Sequence, residues 1–585
     1  MSPYRKRPRS SLNSRIAFLK MLFFVLVLII IGRLFYLQVL KYDDYKILAQ
    51  MRHSSIEEIA PNRGTIYVQD TKNNNALVPI AQNQEFYLFY GIPAVIENVT
   101  STIAQIEQVL SFTDEERWQI FLRLNKPNDP DEPIRKYLTR GEKEALEKLE
   151  IAGTGFKPQV KRVYPQNNLF SHVLGFLGFK KDTRVGQYGI EEYFESDLAG
   201  KSNLVKLEKD PKGRIIGFDK DELAKISDGV DIVLTLDPTI QFKVCAILED
   251  WRKKMLAEDA TAIVINPSNG YILAMCDKPD FDLNNYSQVE SNDIYLNKAV
   301  SEPYEPGSVF KAISMATAID LEKVGPDTQY IDKGFVQFGP EIIRNADNKI
   351  YGLVTMTEVL DNSINTGIIY AGLQIGRGNF AQYVNAFGLG QRTGLELPAE
   401  APGDLSNLKN KGDIYLATAS YGQGITVTPI QLVMSYAAIA NNGILMQPQI
   451  ALEKIYDDGR IESFDTDNSG QQVRRVIYSK TANILKAMLV SVVKNGHGSR
   501  AQVGGYYVAG KTGTANIAKE NNKGYTNETI HTFVGFAPVD EPKFVVLVKF
   551  SKPKNVDYSA DSAAPAFAEM AKFLLQYYQV PPDYL

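Results

Sequence analysis

Only two cysteines, four histidines and two tryptophans occur in 585 residues, and the first two scarcities each exclude a class of protein. Cys245 and Cys276 are too few for a disulfide framework and form no CxxC pair, so the cores must come from apolar packing. A disulfide between them is allowed if the compartment is oxidising, but both are read first as small buried hydrophobes: Cys245 lies in the helical TIQFKVCAILEDW and Cys276 ends the strand-like GYILAMC. His53, His172, His497 and His531 are scattered without ligand spacing, so neither a metal nor a cofactor is expected. A surplus of one charge sign is also missing. With 64 basic and 68 acidic residues the net charge is -4, which gives no pull on a polyanion, and nucleic acid is not an expected partner. The remaining composition, 44% hydrophobic and 23% charged, belongs to ordered globular protein. Its length corresponds to about four domain-sized units.

Asp and Glu are absent from the first 42 residues, where Arg5, Lys6, Arg7, Arg9, Arg15 and Lys20 precede the apolar run Met21 to Ile31. Extended through Arg33 to Leu40 the run reaches about 20 residues, near what a bilayer core requires. Arg33 would snorkel to an interface or face a partner helix. GRLFYLQVLKYDDY offers no small-residue cleavage site, so the segment is expected to stay as a signal anchor. Its basic flank then remains in the cytoplasm, and everything after Leu40 lies outside the plasma (inner) membrane. The expected organisation is a cytoplasmic basic tail at 1–15, a transmembrane anchor at 16–40, a non-catalytic domain at 41–227 and a catalytic domain at 228–585.

Residues 41–227 mix short strands with two helices announced by capping boxes, Thr113 with Glu116 and Thr139 with Glu142. After Asp228 come the strand DIVLTLD, a helix from Pro238, and a hairpin turning at Asn269-Gly270. YYVAGKTGT, HTFVGFAPV and KFVVLVKF are further strands near the C-terminal end. That order predicts an α+β domain whose single antiparallel sheet draws on both ends of the segment.

The chemistry begins at Glu305-Pro306-Gly307-Ser308-Val309-Phe310-Lys311. SxxK spacing alone is weak, for it recurs at Ser406, Ser491 and Ser551. Only Ser308 follows Pro-Gly and opens a helix, whose Val309, Ile313 and Ala316 share one face. One helical turn brings the Lys311 amine beside the Ser308 hydroxyl, and the helix N-terminus adds positive potential where an oxyanion would form. A capping serine with a surface lysine is the bland alternative. Against it stand Ser363-Ile364-Asn365, an SxN downstream of Ser308, and Lys511-Thr512-Gly513-Thr514, which holds the only KTG in the chain. SxxK, SxN and KTG in this order form the active-site set of penicillin-recognising serine enzymes.

On these motifs the sequence resembles the class B, monofunctional penicillin-binding proteins, which cross-link peptidoglycan. RLFYLQVL, Arg63-Gly64-Thr65-Ile66, Gly189-Ile190-Glu191, LTLDPTIQ, NPSNGYILAM and TASYGQGITVTPIQLVMSYAAIANNG extend the resemblance over nearly the whole chain. YEPGSVFK and the last of these stretches look like the division-specific, septal subgroup. YVQDTKNNN departs from the acidic, arginine and glycine turn that many relatives carry after RGxI, which puts pedestal contacts in doubt. The resemblance implies a penicillin-binding, serine β-lactamase-like fold on an elongated mixed pedestal of the dimerisation-domain kind. It implies Ser308 as nucleophile, Lys311 as base, Ser363 as proton relay, and Asn365 as the holder of Lys311 and the peptide amide. Lys511, Thr512, Gly513 and Thr514 would receive the terminal carboxylate, with the backbone N–H groups of Ser308 and Thr514 as oxyanion hole. Implied partners are D-Ala-D-Ala stem peptides, β-lactams, the membrane, a polymerase of the shape, elongation, division and sporulation family, and other division proteins.

Three alternatives stay open at the level of sequence. A D,D-carboxypeptidase or β-lactamase-type hydrolase shares the motifs but passes the acyl group to water. A penicillin-sensing receptor needs a cytoplasmic signalling domain, for which about 15 residues are too few. A non-catalytic division scaffold would carry the motifs as vestiges.

Overall fold

The computed structural model describes residues 11–42, 54–59, 61–126, 129, 131–181, 183–209, 215–218, 226–465, 470–519 and 524–584. They fall into two compact units, Met1–Pro61 with Gly200–Asp228, and Asn62–Ala199 with Gly229–Leu585.

In the first unit the helix Ser11–Phe35 continues as a π-helical turn, Tyr36–Leu40. The stretch Ile16–Leu40 is long and apolar enough to cross a membrane. Arg33 stacks over Tyr36, 5.4 Å from the ring centroid, a cation–π contact that offsets part of the cost of a cation on an apolar helix. Arg5, Lys6, Arg7, Arg9 and His53 lie outside the described residues. The unit also holds a three-stranded antiparallel sheet in which Asn203–Lys209 pairs with both Ser54–Ile59 and Ile215–Phe218.

The second unit carries two principal sheets. In the first, Ile66–Asp70 pairs antiparallel with Ala76–Gly91 and parallel with Asp231–Leu234, which in turn pairs with Ala451–Ile455. Strand 231–234 therefore belongs to this sheet and not to the one built by its neighbours in sequence. Ile66, Val68, Ile232 and Leu234 are fully buried in one core with Val309 and Phe310. Both expected capping boxes are present, with Thr113 and Glu116, and Thr139 and Glu142, bonding reciprocally. The divergent loop after Ile66–Asp70 makes its own contacts: the Thr71 hydroxyl donates to Asp237 Oδ2 (2.5 Å) and Lys72 Nζ to the Tyr577 carbonyl (2.7 Å).

RGTI and GIE, far apart in sequence, meet at a buried ion cluster. Arg63 Nε lies 2.6 Å and Arg162 Nε 2.8 Å from the two oxygens of the fully buried Glu191. Burial pushes the Glu191 carboxyl up, but Arg162 and Arg63 together bring it below the ordinary range. Gly64 is required beside them, because a Cβ there would stand 2.0 Å from the Val230 carbonyl oxygen.

The second sheet is antiparallel throughout. After α1 (Pro238–Met255), whose first turn is capped by the Asp237 side chain, come β1 (Asp259–Ile265) and β2 (Ile272–Lys278). Gly270, at φ +82°, makes the turn between them. The helices α2 (Lys311–Asp320), α3 (Met356–Asp361), α4 (Asn365–Ile375) and α5 (Ser479–Asn495) follow. β3 (Ala509–Ala518), β4 (Tyr525–Ala537), β5 (Phe544–Ser551) and α6 (Ala563–Tyr577) close the chain. The strand order β2-β1-β5-β4-β3 joins strands from both ends of the segment, as the pattern predicts, and leaves β3 at an edge.

Val309, Ile313 and Ala316 are buried, and so is every residue of α2 from Lys311 to Ile319, because the helix runs through the core. One expectation is corrected. Cys245 and Cys276 are buried as expected but are not separate thiols; they form a disulfide. α1 packs on β2 and brings their Cα atoms to 5.6 Å, within the range a disulfide spans.

Candidate active site

Ser308 sits in a 3-10 turn, Gly307–Phe310, that leads into α2. Gly307, at φ +57°, donates its N–H to the Gly422 carbonyl (3.0 Å). Gly422, at φ +81°, has room only for hydrogen, since a Cβ would lie 2.2 Å from the Gly307 oxygen. Val309 and Phe310 are buried, and the Tyr436 hydroxyl donates to the Val309 carbonyl at 2.6 Å. The turn is thus held from several sides while Ser308 itself stays partly exposed. The edge strand β3 runs against it: a Cβ on Gly513 would stand 3.0 Å from both the Val309 nitrogen and the Pro306 oxygen. Glycine in KTG is therefore what lets the two backbones approach.

Lys311 projects from the first position of α2 into a fully buried site. Its Nζ donates to the Ser363 carbonyl (2.6 Å), the Ser363 hydroxyl (3.2 Å) and Asn365 Oδ1 (2.7 Å). These bonds run to the SxN segment, where the sequence suggested contact with Ser308. Lys511 Nζ, equally buried, donates to the same Ser363 hydroxyl (3.0 Å) and to the Thr512 carbonyl (3.2 Å). Burial, and after it the neighbouring Lys511, push the Lys311 amine well below its ordinary range. Burial takes Lys511 down to about 7, against an upward pull from Asp361. Ser363 joins α3 to α4 at φ +54°, a left-handed conformation that costs a non-glycine residue about 1 to 2 kcal/mol. Asn365 Nδ2 donates to the Arg344 carbonyl at 3.0 Å, which fixes its Oδ1 towards Lys311.

Lys311, Ser363, Asn365 and Lys511 are therefore one hydrogen-bonded cluster, and Thr512, Gly513 and Thr514 continue from it along β3. The Thr514 hydroxyl is partnered by Ser559. The other SxxK serines are elsewhere: Ser406 opens a separate 3-10 turn, Ser551 ends β5, and the Ser491 hydroxyl donates to Asp361 Oδ2 at 2.8 Å. Among the described residues no group of three or more His, Cys, Asp and Glu could hold a metal ion.

Several supporting groups were not singled out from sequence. Glu305 accepts from the Gly424 N–H (2.9 Å) and the Tyr525 hydroxyl (3.1 Å). Asp332 accepts from the Thr366 hydroxyl (2.6 Å), Asn345 Nδ2 (2.9 Å) and the Tyr351 N–H (2.8 Å), tying the first turn of α4 to the ribbon that carries Arg344. A carboxylate two residues before a glycine was the one local signal for Asp332, since Gly334 donates to it at 2.9 Å.

Comparison with known proteins identifies the family of the chain. Residues 260–572 match the penicillin binding protein transpeptidase domain, and residues 58–234 the penicillin-binding protein dimerisation domain. Stage V sporulation protein D of Bacillus subtilis is 32% identical over 576 residues, 98% of this chain and 87% of that one. The peptidoglycan D,D-transpeptidase FtsI homolog of Mesostigma viride is 27% identical over 599 residues, 97% of each chain. Penicillin binding protein 3 of Mycobacterium tuberculosis, solved in complex with aztreonam, superposes with a TM-score of 0.68 at 25% identity, over 90% of this chain and 98% of that one.

Proposed function

From the premise that this chain belongs to the class B penicillin-binding proteins of septal type, we propose how its site performs peptidoglycan D,D-transpeptidation, the activity of the family and the target of β-lactams. Ser308 Oγ attacks the carbonyl of the penultimate D-alanine of a stem peptide and gives its proton to neutral Lys311. The backbone N–H groups of Ser308 and Thr514 receive the oxyanion. The C–N bond then breaks, the departing D-alanine amine takes a proton through Ser363, and an ester on Ser308 remains. An acceptor amine reverses these steps, forming the cross-link and restoring the serine.

One observation carries the reading: two buried lysines share the Ser363 hydroxyl beside the Ser308 turn. As an ammonium, Lys311 has its three protons committed to its three acceptors. As an amine it has two protons and a lone pair, so the longest of the three bonds, to Ser363 Oγ, is the one that reverses or lets go. Below its titration near about 7 Lys511 is charged and, with Thr512 and Thr514, holds the substrate carboxylate.

The test is mass spectrometry of the full-length chain after exposure to penicillin. One equivalent should map to the peptide Tyr304 to Lys311 and vanish in Ser308→Ala; an adduct on Ser406, Ser491 or Ser551 would overturn the assignment.

We assign the Ile16–Leu40 helix, long and apolar enough to cross a membrane, as the anchor. Our reading of the basic flank places the N-terminus in the cytoplasm, residues 41–227 as a pedestal and 228–585 as the catalytic domain outside. A cysteine at Asn167 should then react with an impermeant thiol reagent in intact cells, and protection there would sink the orientation. The pedestal and the Arg33 face of the anchor are the surfaces we assign to a polymerase of the shape, elongation, division and sporulation family; charge reversal at Arg33 that left co-purification intact would remove the anchor from that role.

A further inference from the structure

Thr514 and His531 are register partners on β3 and β4, so their side chains rise from the same face of the sheet. Against that face lies the turn Tyr558 to Ser562, just before α6. The turn grips Thr514 at one end: the Ser559 N–H donates to Thr514 Oγ1 at 3.0 Å, and Thr514 Oγ1 donates to Ser559 Oγ at 3.2 Å. His531 grips it at the other, with Nδ1 2.8 Å from Ser562 Oγ and Nε2 3.0 Å from the Thr529 hydroxyl. The Ser562 hydroxyl donates in turn to the Tyr558 carbonyl (3.4 Å), so Ser562 Oγ accepts from a protonated Nδ1 and Nε2 accepts from Thr529. His531, Ser559 and Ser562 are all buried. Burial pushes the imidazole down to about 4, against a smaller upward pull from the Asp557 backbone, and the ring is neutral at physiological pH.

A threonine hydroxyl has one proton and two lone pairs. The Ser559 N–H occupies one lone pair, and the proton points to the turn. In the free enzyme it goes to Ser559 Oγ over a long 3.2 Å bond; an arriving carboxylate offers a stronger, charge-assisted acceptor. The polarity of the Thr514 hydroxyl is thus set by a turn that His531 holds in place.

We propose that His531 is a positioning residue for recognition of the substrate carboxylate, acting through Ser562 and the 558–562 turn to keep Thr514 poised as a donor. This rests on the reading of Thr514 as a carboxylate receiver. The step is a binding one and moves no covalent bond.

The test compares acylation of the full-length chain by a penicillin and by its carboxyl methyl ester, which keeps the ring but removes the anion. The ratio of the two second-order rate constants isolates carboxylate recognition from folding and from the chemistry at Ser308. His531→Ala and Ser562→Ala should each lower the ratio by about tenfold, the loss of one good hydrogen bond, through weaker binding rather than slower chemistry. The double variant should lose no more than either single one, because both break the same link. His531→Asn, whose amide nitrogen stands near the place of Nδ1, should restore most of the ratio; His531→Gln, which mimics Nε2, should not. If Thr514→Val collapses the ratio while the His531 and Ser562 variants leave it intact, the clamp is wrong and the carboxylate receiver stands. If Thr514→Val also leaves it intact, the receiver assignment falls and the clamp with it. An equal loss for acid and ester in the Ser562→Ala variant reduces His531 to packing.

Discussion

Lys311 and Lys511 share one acceptor, the Ser363 hydroxyl, at 3.2 and 3.0 Å. Burial lowers both amines, and the Lys511 charge lowers Lys311 further. Acylation by penicillin should rise from acid pH as Lys311 becomes neutral, and fall as Lys511 loses its proton near about 7. Lys511→Arg keeps the charge, so the descending limb should move up by more than about one pH unit. Lys311→Ala should lose roughly 10² to 10⁴-fold at every pH. The same lysines bind fewer protons folded than unfolded, so stability rises with pH above the folded value of Lys511, about 7, towards its unfolded value near 10.4. A rate profile flat between about pH 5 and 9 would remove both lysines from the proton chemistry.

Glu191 is the only carboxylate hydrogen-bonded to Arg162, and it is shared with Arg63, which also pairs with Glu195 at 2.7 Å, among the described residues. Glu191→Gln leaves both guanidiniums buried without that charge, and the expected cost is about 3 to 5 kcal/mol. It should appear as a lower urea midpoint at unchanged slope. Penicillin labelling per folded molecule should stay as in the parent protein; a variant with normal stability would show that the cluster does not hold the fold together.

The Cys245–Cys276 bridge closes a separation of 31 residues. By loop entropy that corresponds to about 3 to 4 kcal/mol. Reduction, or the double serine variant, should lower the thermal midpoint while leaving the acyl-enzyme yield of folded protein unchanged. An unaltered midpoint after verified reduction would contradict this.

The parts of the site legible in sequence were those with a chemical signature: Ser308, Lys311, Ser363, Asn365 and the KTG strand each belong to a short pattern whose order is informative. What stayed hidden depends on partners distant in the chain. The parallel pairing of Ile232 with Ile66 leaves no local trace, so DIVLTLD read as a strand but not as a partner of Ile66–Asp70. The disulfide was ranked second because nothing in a helix and a strand 31 residues apart reports that one packs on the other. His531 read as one scattered histidine, since its meaning comes from Ser562, 31 residues further on.

Transfer and hydrolysis differ in what deprotonates the second nucleophile. A hydrolase of the class A β-lactamase kind uses a glutamate to activate water. The two glutamates closest in sequence to the motifs are engaged here. Glu305 accepts from the Gly424 N–H and the Tyr525 hydroxyl. Glu358 closes the capping box of α3 on Thr355. Lys311 and Ser363 remain to deprotonate an incoming amine by reversal of the leaving step. The penicilloyl-enzyme should therefore be long-lived, and a thioester-derived acyl-enzyme should be consumed faster when a D-amino acid is added. Release of penicillin within seconds, together with a product mixture that the D-amino acid leaves unchanged, would make the enzyme a hydrolase.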